Sequence, residues 1–212
     1  MLRRGGSSPS IRTNFIGSIM EFQRYTDPWL HYSIPNFLPD DMFKEAEDTA
    51  NKILDFKTQN HRSMINYEDN DKGFRNYFFN LYPIFCDKLE IPKLNMIESR
   101  VVLQYVSYNN CTDYEKHGMY LHTDSFDKQL SCLIPISDTG SGTELYDDNK
   151  NFVKKVEWKK NTAFIFANKP NHWHVVGSSI GTTRCLLNVL YMPRDYSSIH
   201  EKLYNVKRPK KS

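Results

Sequence analysis

No run of apolar residues in this 212-residue chain approaches the ~20 that a bilayer-crossing helix needs, which excludes a membrane span. Glycine is scarce, at nine residues, and neither it nor proline recurs with any period, so a collagen-like fibre and a low-complexity scaffold are excluded too. The four cysteines, Cys86, Cys111, Cys132 and Cys185, are scattered without a Cys-x-x-Cys pair. They read as free thiols in a reducing compartment, because a 25.0 kDa domain needs no disulfide staples. Acidic residues are missing from both ends: residues 1–20 hold Arg3, Arg4 and Arg12, and residues 207–212 hold Lys207, Arg208, Lys210 and Lys211. Without these seven, the body from Glu21 to Val206 has 21 basic against 25 acidic residues, so the overall +3 belongs to the ends. Such short polar ends cannot bury enough apolar surface to order themselves, and the body offers no broad basic footprint for nucleic acid. No hydrophobic segment follows the arginines at the length of a secretory signal. A cytoplasmic location is expected, with the Arg- and Ser-rich start leaving organelle import, or a second start at Met20, open.

What is present is a globular composition, 39% hydrophobic and 14% aromatic. After a short strand at 30–34, a helix is predicted from Asp40 as N-cap, with Met42, Phe43, Ala46, Ala50, Ile53 and Leu54 on one face. A second helical stripe runs through Phe74, Tyr77, Phe78, Leu81, Phe85 and Leu89, and Pro83 is expected to kink or divide it. From about residue 99 the period changes to two, predicting strands at 100–108, 118–122, 129–137, 142–147, 151–158, 162–168, 172–177 and 183–192. Eight short strands with the helices placed before them imply one domain over 21–206: an antiparallel jelly roll at about 99–192, with the helices packed outside one sheet.

The chemistry concentrates in this half. His122 and Asp124 close a strand and, two apart, face the same side. Taken alone, a His-x-Asp pair is a pattern that chance often produces. Fifty residues further on, His172 and His174 share one face of a short strand, and Arg184 lies inside the apolar strand TRCLLNVLY, where an unpaired charge is costly. Two imidazoles and a carboxylate suit a facial triad that leaves coordination positions open. A structural zinc site would close with four ligands, usually including cysteine.

These motifs, in order, resemble the Fe(II)- and 2-oxoglutarate-dependent oxygenases, in particular the prolyl 4-hydroxylase-like branch, over residues 30–192. HYSIPNFLPDDMFKEAED resembles that branch's opening, VVLQYVSY followed by HGMYLHTDSF its strand into His-x-Asp, GTEL (142–145) its Gly-Gly-x-Leu turn, and PNHWHVV its Trp-His-x-Val strand. The spacing from His174 to Arg184 matches that of the distal histidine ligand and the 2-oxoglutarate arginine.

The resemblance implies a double-stranded β-helix (jelly roll, cupin-like) in which His122, Asp124 and His174 ligate Fe(II), Arg184 binds the distal carboxylate of 2-oxoglutarate, and Tyr105 lines the cosubstrate pocket. Dioxygen is the second cosubstrate, succinate and carbon dioxide are released, and an unactivated C–H bond of a prolyl peptide or a small molecule is hydroxylated. Leu186 stands where many relatives have a serine, and Pro135 stands near the place of a pocket tyrosine. His172 is a rival ligand to His174, and His117 is expected on a loop. Segments 60–74 and 108–120 are candidate substrate-facing stretches. The alternative is a cupin-type module that binds a sugar or small acid without turnover.

Overall fold

Period-two alternation of apolar side chains accounts for most of the second half of the chain. The computed structural model describes residues 20–53, 62–67, 72–94, 99–109, 120–177, 183–193 and 199–205. In chain order these form β1 (Gln23–Tyr25), β2 (His31–Ile34), α1 (Asp40–Ile53), β3 (Arg62–Tyr67), α2 (Lys72–Lys88), β4 (Ser99–Asn109), β5 (Leu130–Pro135), β6 (Thr143–Tyr146), β7 (Phe152–Lys155), β8 (Ala163–Ala167), β9 (His174–Val176), β10 (Thr183–Pro193) and α3 (Ile199–Tyr204).

The strands make two antiparallel sheets, one ordered β1-β2-β8-β5-β10-β4-β3 and a smaller one ordered β7-β6-β9. Alternation assigns the faces of the larger sheet. Cys185, Leu187, Val189 and Tyr191 of β10 join Cys132 and Ile134 of β5, and the helices supply Ala46, Ala50, Phe78, Leu81 and Phe85 to the same core. The alternate residues Phe164 and Phe166 of β8 point the other way and pack with Trp29 and with Leu145 of the smaller sheet. Every residue of β8 is therefore buried, and its sequence, AFIFA, is apolar throughout. The helices cover one face of the larger sheet, as expected, and the two sheets enclose the space where the candidate site lies.

Several expectations need correction. Phe43 N donates to Pro39 O, so the first helical hydrogen bond of α1 starts one residue early and Asp40 lies inside the first turn. There, with Asp41, it complements the positive end of the helix dipole. Pro83 does not divide α2, which runs unbroken from Lys72 to Lys88. The strand expected at 118–122 is reduced, among the described residues, to a single bridge between His122 and His174. Within segment 60–74, β3 edges the larger sheet against β4, and the start of α2 follows. Strand β1 and helix α3 had no signal in the periodicity. Met20, assigned to the basic tail, packs against the core. The rest of both basic ends, Cys111, His117 and residues 110–119 lie outside the described residues. Among those described, no helix is long and apolar enough to cross a membrane.

Two local devices fix the turns that flank the strands. Gly142, the first residue of GTEL, admits no side chain, since a Cβ there would meet the Val156 carbonyl oxygen at 1.5 Å. Asn161, at φ 51°, donates to Leu38 O and accepts from Leu38 N, both at 2.9 Å, tying the turn before β8 to the segment that leads into α1.

Candidate metal centre

Three side chains converge between the sheets. One ligand atom from each of His122, Asp124 and His174 lies within 4.8 Å of the others. The backbone explains the approach: His122 N donates to His174 O at 3.1 Å, and His174 N to His122 O at 2.9 Å, so the two imidazoles are cross-strand neighbours with ring centroids 4.6 Å apart. Each ring is also fixed from behind. Nδ1 of His122 is 2.6 Å from Tyr120 O, and Nδ1 of His174 is 2.9 Å from His172 O. A carbonyl can only accept, so both Nδ1 atoms carry the proton and both Nε2 atoms keep the lone pair a metal needs.

Asp124 is held by Lys128, whose Nζ is 2.5 Å from Oδ1, and by Ser131, whose Oγ donates to Oδ2 at 3.1 Å. Asn168 Nδ2 in turn donates to Ser131 Oγ at 3.1 Å. Burial alone would raise the Asp124 pKa, but the Lys128 cation and the two imidazoles outweigh it and bring it down to about 2. The carboxylate is thus ionised and ready to ligate. Neither Lys128 nor Ser131 was singled out in the sequence. The available signal was the turn residue four after Asp124, which the Lys128 N to Ser125 O hydrogen bond folds back onto it.

His172 turns away from the cluster. Its ring stacks on Trp29 at 4.5 Å, and Nδ1 lies 2.7 Å from Ala167 O. Arg184 is 2% exposed; its guanidinium lies over the Trp158 ring at 4.9 Å, and Nη2 donates to Thr143 Oγ1 at 3.4 Å. Thr143 is two residues from Leu145, the register partner of His174. The arginine therefore meets the smaller sheet about 7 Å of strand away from the His174 register position. A cavity of about 20 Å³ is lined by Arg184, Thr143, Trp158, Ser33 and Phe164. Tyr105 stands opposite Leu187 in the register of β4 with β10, whereas Tyr108 stands opposite Arg184.

No family model matches the chain, and no curated protein resembles it in sequence. Solved structures do resemble it in shape. A prolyl-4-hydroxylase from Pseudomonas putida superposes with a TM-score of 0.56 at 11% identity, over 76% of this chain and 92% of that one. The chain has the prolyl 4-hydroxylase fold. The collagen prolyl hydroxylase of Paramecium bursaria Chlorella virus-1, solved with 2-oxoglutarate, gives 0.54 at 13% identity, covering 79% and 97% of the two chains. A prolyl hydroxylase from Trichoplax adhaerens, solved with a hypoxia inducible factor peptide fragment, gives 0.54 at 12% identity, covering 78% and 84%. At these identities the likeness is one of fold.

Burial also makes the fold sensitive to acid. It pushes the pKa of His31 down to about 4, of His172 to about 3 and of His174 to about 4, from the usual 6.5. The unfolded chain takes up these protons as pH drops below 6.5, and the folded chain refuses them until pH 4 or lower, so stability is lost as pH falls through that window. Asp124, depressed to about 2, adds a further loss as pH falls from about 4. Urea unfolding of the metal-free chain should show little change from pH 8 to 7 and a falling midpoint from 6.5 to 4. Proton uptake on unfolding at pH 5 should approach three; uptake near zero would contradict the buried-neutral assignment.

Proposed function

We propose that this chain is an Fe(II)- and 2-oxoglutarate-dependent dioxygenase that hydroxylates an unactivated C–H bond, built on a double-stranded β-helix. The observation that carries the reading is the convergence of His122, Asp124 and His174 between the sheets. Nε2 of each histidine and the Asp124 carboxylate would hold the metal. Among the described residues the cluster ends at three, which suits an open catalytic site better than a closed four-ligand one. When bound, Fe(II), 2-oxoglutarate and dioxygen supply an oxidative decarboxylation to succinate and carbon dioxide, coupled to hydroxylation of the substrate.

The protein's part is to hold, orient and exclude water. Trp158 is fixed by donating Nε1–H to Ser137 O at 3.0 Å, and the Arg184 guanidinium against it would take the distal carboxylate of 2-oxoglutarate as a planar fork. The short strand interval between Thr143 and the His174 register position suits a five-carbon dicarboxylate reaching from metal to arginine. Leu186, 3% exposed, offers no hydroxyl to that carboxylate, which leaves more of its binding to Arg184. Phe164, Phe166 and Trp29 form an apolar wall that keeps water from the reacting centre. For the substrate, a peptide is supported by the Trichoplax adhaerens enzyme, whose structure holds one.

The test is anaerobic mixing of the protein with Fe(II) and 2-oxoglutarate, followed by admission of oxygen. A visible charge-transfer band that decays with stoichiometric succinate is expected. No band and no succinate would overturn the reading in favour of a binding module without turnover.

A further inference from the structure

The carboxylate proposed as a metal ligand already has a cation on it. Lys128 Nζ lies 2.5 Å from Asp124 Oδ1, and the two side chains are only 21% and 10% exposed. This is not a rim contact whose charge water screens. The donor atoms of His122 and His174 lie within 4.8 Å of Asp124's, so a divalent ion among the three would sit close to the ammonium, on the same carboxylate. Two cations that near each other in a partly desolvated site repel strongly.

The other donor to Asp124 is different in kind. Ser131 Oγ is neutral, buried, and anchored by Asn168 Nδ2 at 3.1 Å, so it can stay on Oδ2 while a metal binds. Lys128 is the group able to leave: it ends the Ser125–Lys128 turn, and its four-carbon stem reaches partly into solvent.

We infer that Lys128 is a tethered competitor of the metal, holding the Asp124 carboxylate oriented beforehand and weakening metal binding by having to be displaced. The inference rests on the metal reading proposed above and deepens it by naming a residue that sets how readily the site loads and exchanges its ion. A lysine that instead remained in place to orient the carboxylate would strengthen metal binding, so the sign of the effect decides between the two roles.

Mn(II) titrations followed by electron paramagnetic resonance, on the full chain and on Lys128→Met, Lys128→Arg and Asp124→Asn, provide the test. Lys128→Met should bind Mn(II) about tenfold more tightly than the parent, and Lys128→Arg about equally. Removing the ammonium also leaves the Asp124 carboxylate without its neutralising cation, so metal-free Lys128→Met should melt lower than the parent while gaining a larger rise in Tm on adding Mn(II). If the Met variant does not fold, Lys128→Gln takes its place. Equal or weaker Mn(II) binding after removal of the ammonium, with Asp124→Asn abolishing binding, overturns the competitor role and leaves the triad reading intact. Binding that Asp124→Asn does not affect, or no binding by any form, overturns both.

Discussion

His174→Ala is expected to take both Mn(II) binding and succinate formation to background, a loss of at least about a hundredfold, while His172→Ala keeps both within about tenfold of the parent. The two histidines are two residues apart in sequence and both are buried, yet their surroundings differ. The His174 ring meets His122 at 4.6 Å and belongs to the three-residue cluster; the His172 ring lies flat on Trp29. What His172 gives its neighbour is its backbone carbonyl, which accepts from His174 Nδ1 at 2.9 Å and survives substitution by alanine. The cost of His172→Ala should instead appear as stability, about 1–3 kcal/mol for the lost hydrogen bond to Ala167 O and the lost stacking. Urea unfolding separates this from the metal effect. Abolition of metal binding by His172→Ala, with His174→Ala retaining it, would reverse the ligand assignment.

Arg184→Met should raise the KM for 2-oxoglutarate by about a hundredfold, the equivalent of about 3 kcal/mol for a charge-assisted pair made in a dry site. The preference should change as well as the affinity: a 2-oxo acid of the same length with an apolar end should become as good a cosubstrate as 2-oxoglutarate. Methionine keeps much of the contact with the Trp158 ring, so folding should survive and a thermal melt checks that it does. An unchanged KM would remove Arg184 from the cosubstrate site. The same assay sorts the tyrosines of β4. Resemblance to the oxygenases implies Tyr105, but the register sets Tyr105 opposite Leu187 and Tyr108 opposite Arg184. With Tyr108 the register partner of Arg184, Tyr108→Phe is expected to raise the KM more than Tyr105→Phe.

Much of this was legible in the chain because the relevant signals are local. Short apolar runs such as TRCLLNVLY and AFIFA marked strands, and the 3–4 spacing in α1 and α2 marked the faces that cover one sheet. The failures are equally specific. The hydrogen bond that Phe43 N donates to Pro39 O moved the helix start, and α2 absorbed Pro83. Strand β1, three exposed residues, has no alternation to detect; it exists because β2 pairs beside it.

For the site, the sequence determined the donor types and their likeness to a known order: His-x-Asp, a second histidine and an arginine ten residues on. It favoured His174 over its rival His172 by the spacing to Arg184, but two positions on one strand face do not by themselves say what packs against each. Tertiary structure gives them different surroundings, stacking the His172 ring on Trp29 and bringing the His174 ring across to His122. It also placed Lys128 and Ser131 on the two oxygens of Asp124. Periodicity along a chain encodes which way a side chain points; which groups it then meets depends on pairings between distant segments, set by the packing of the whole core.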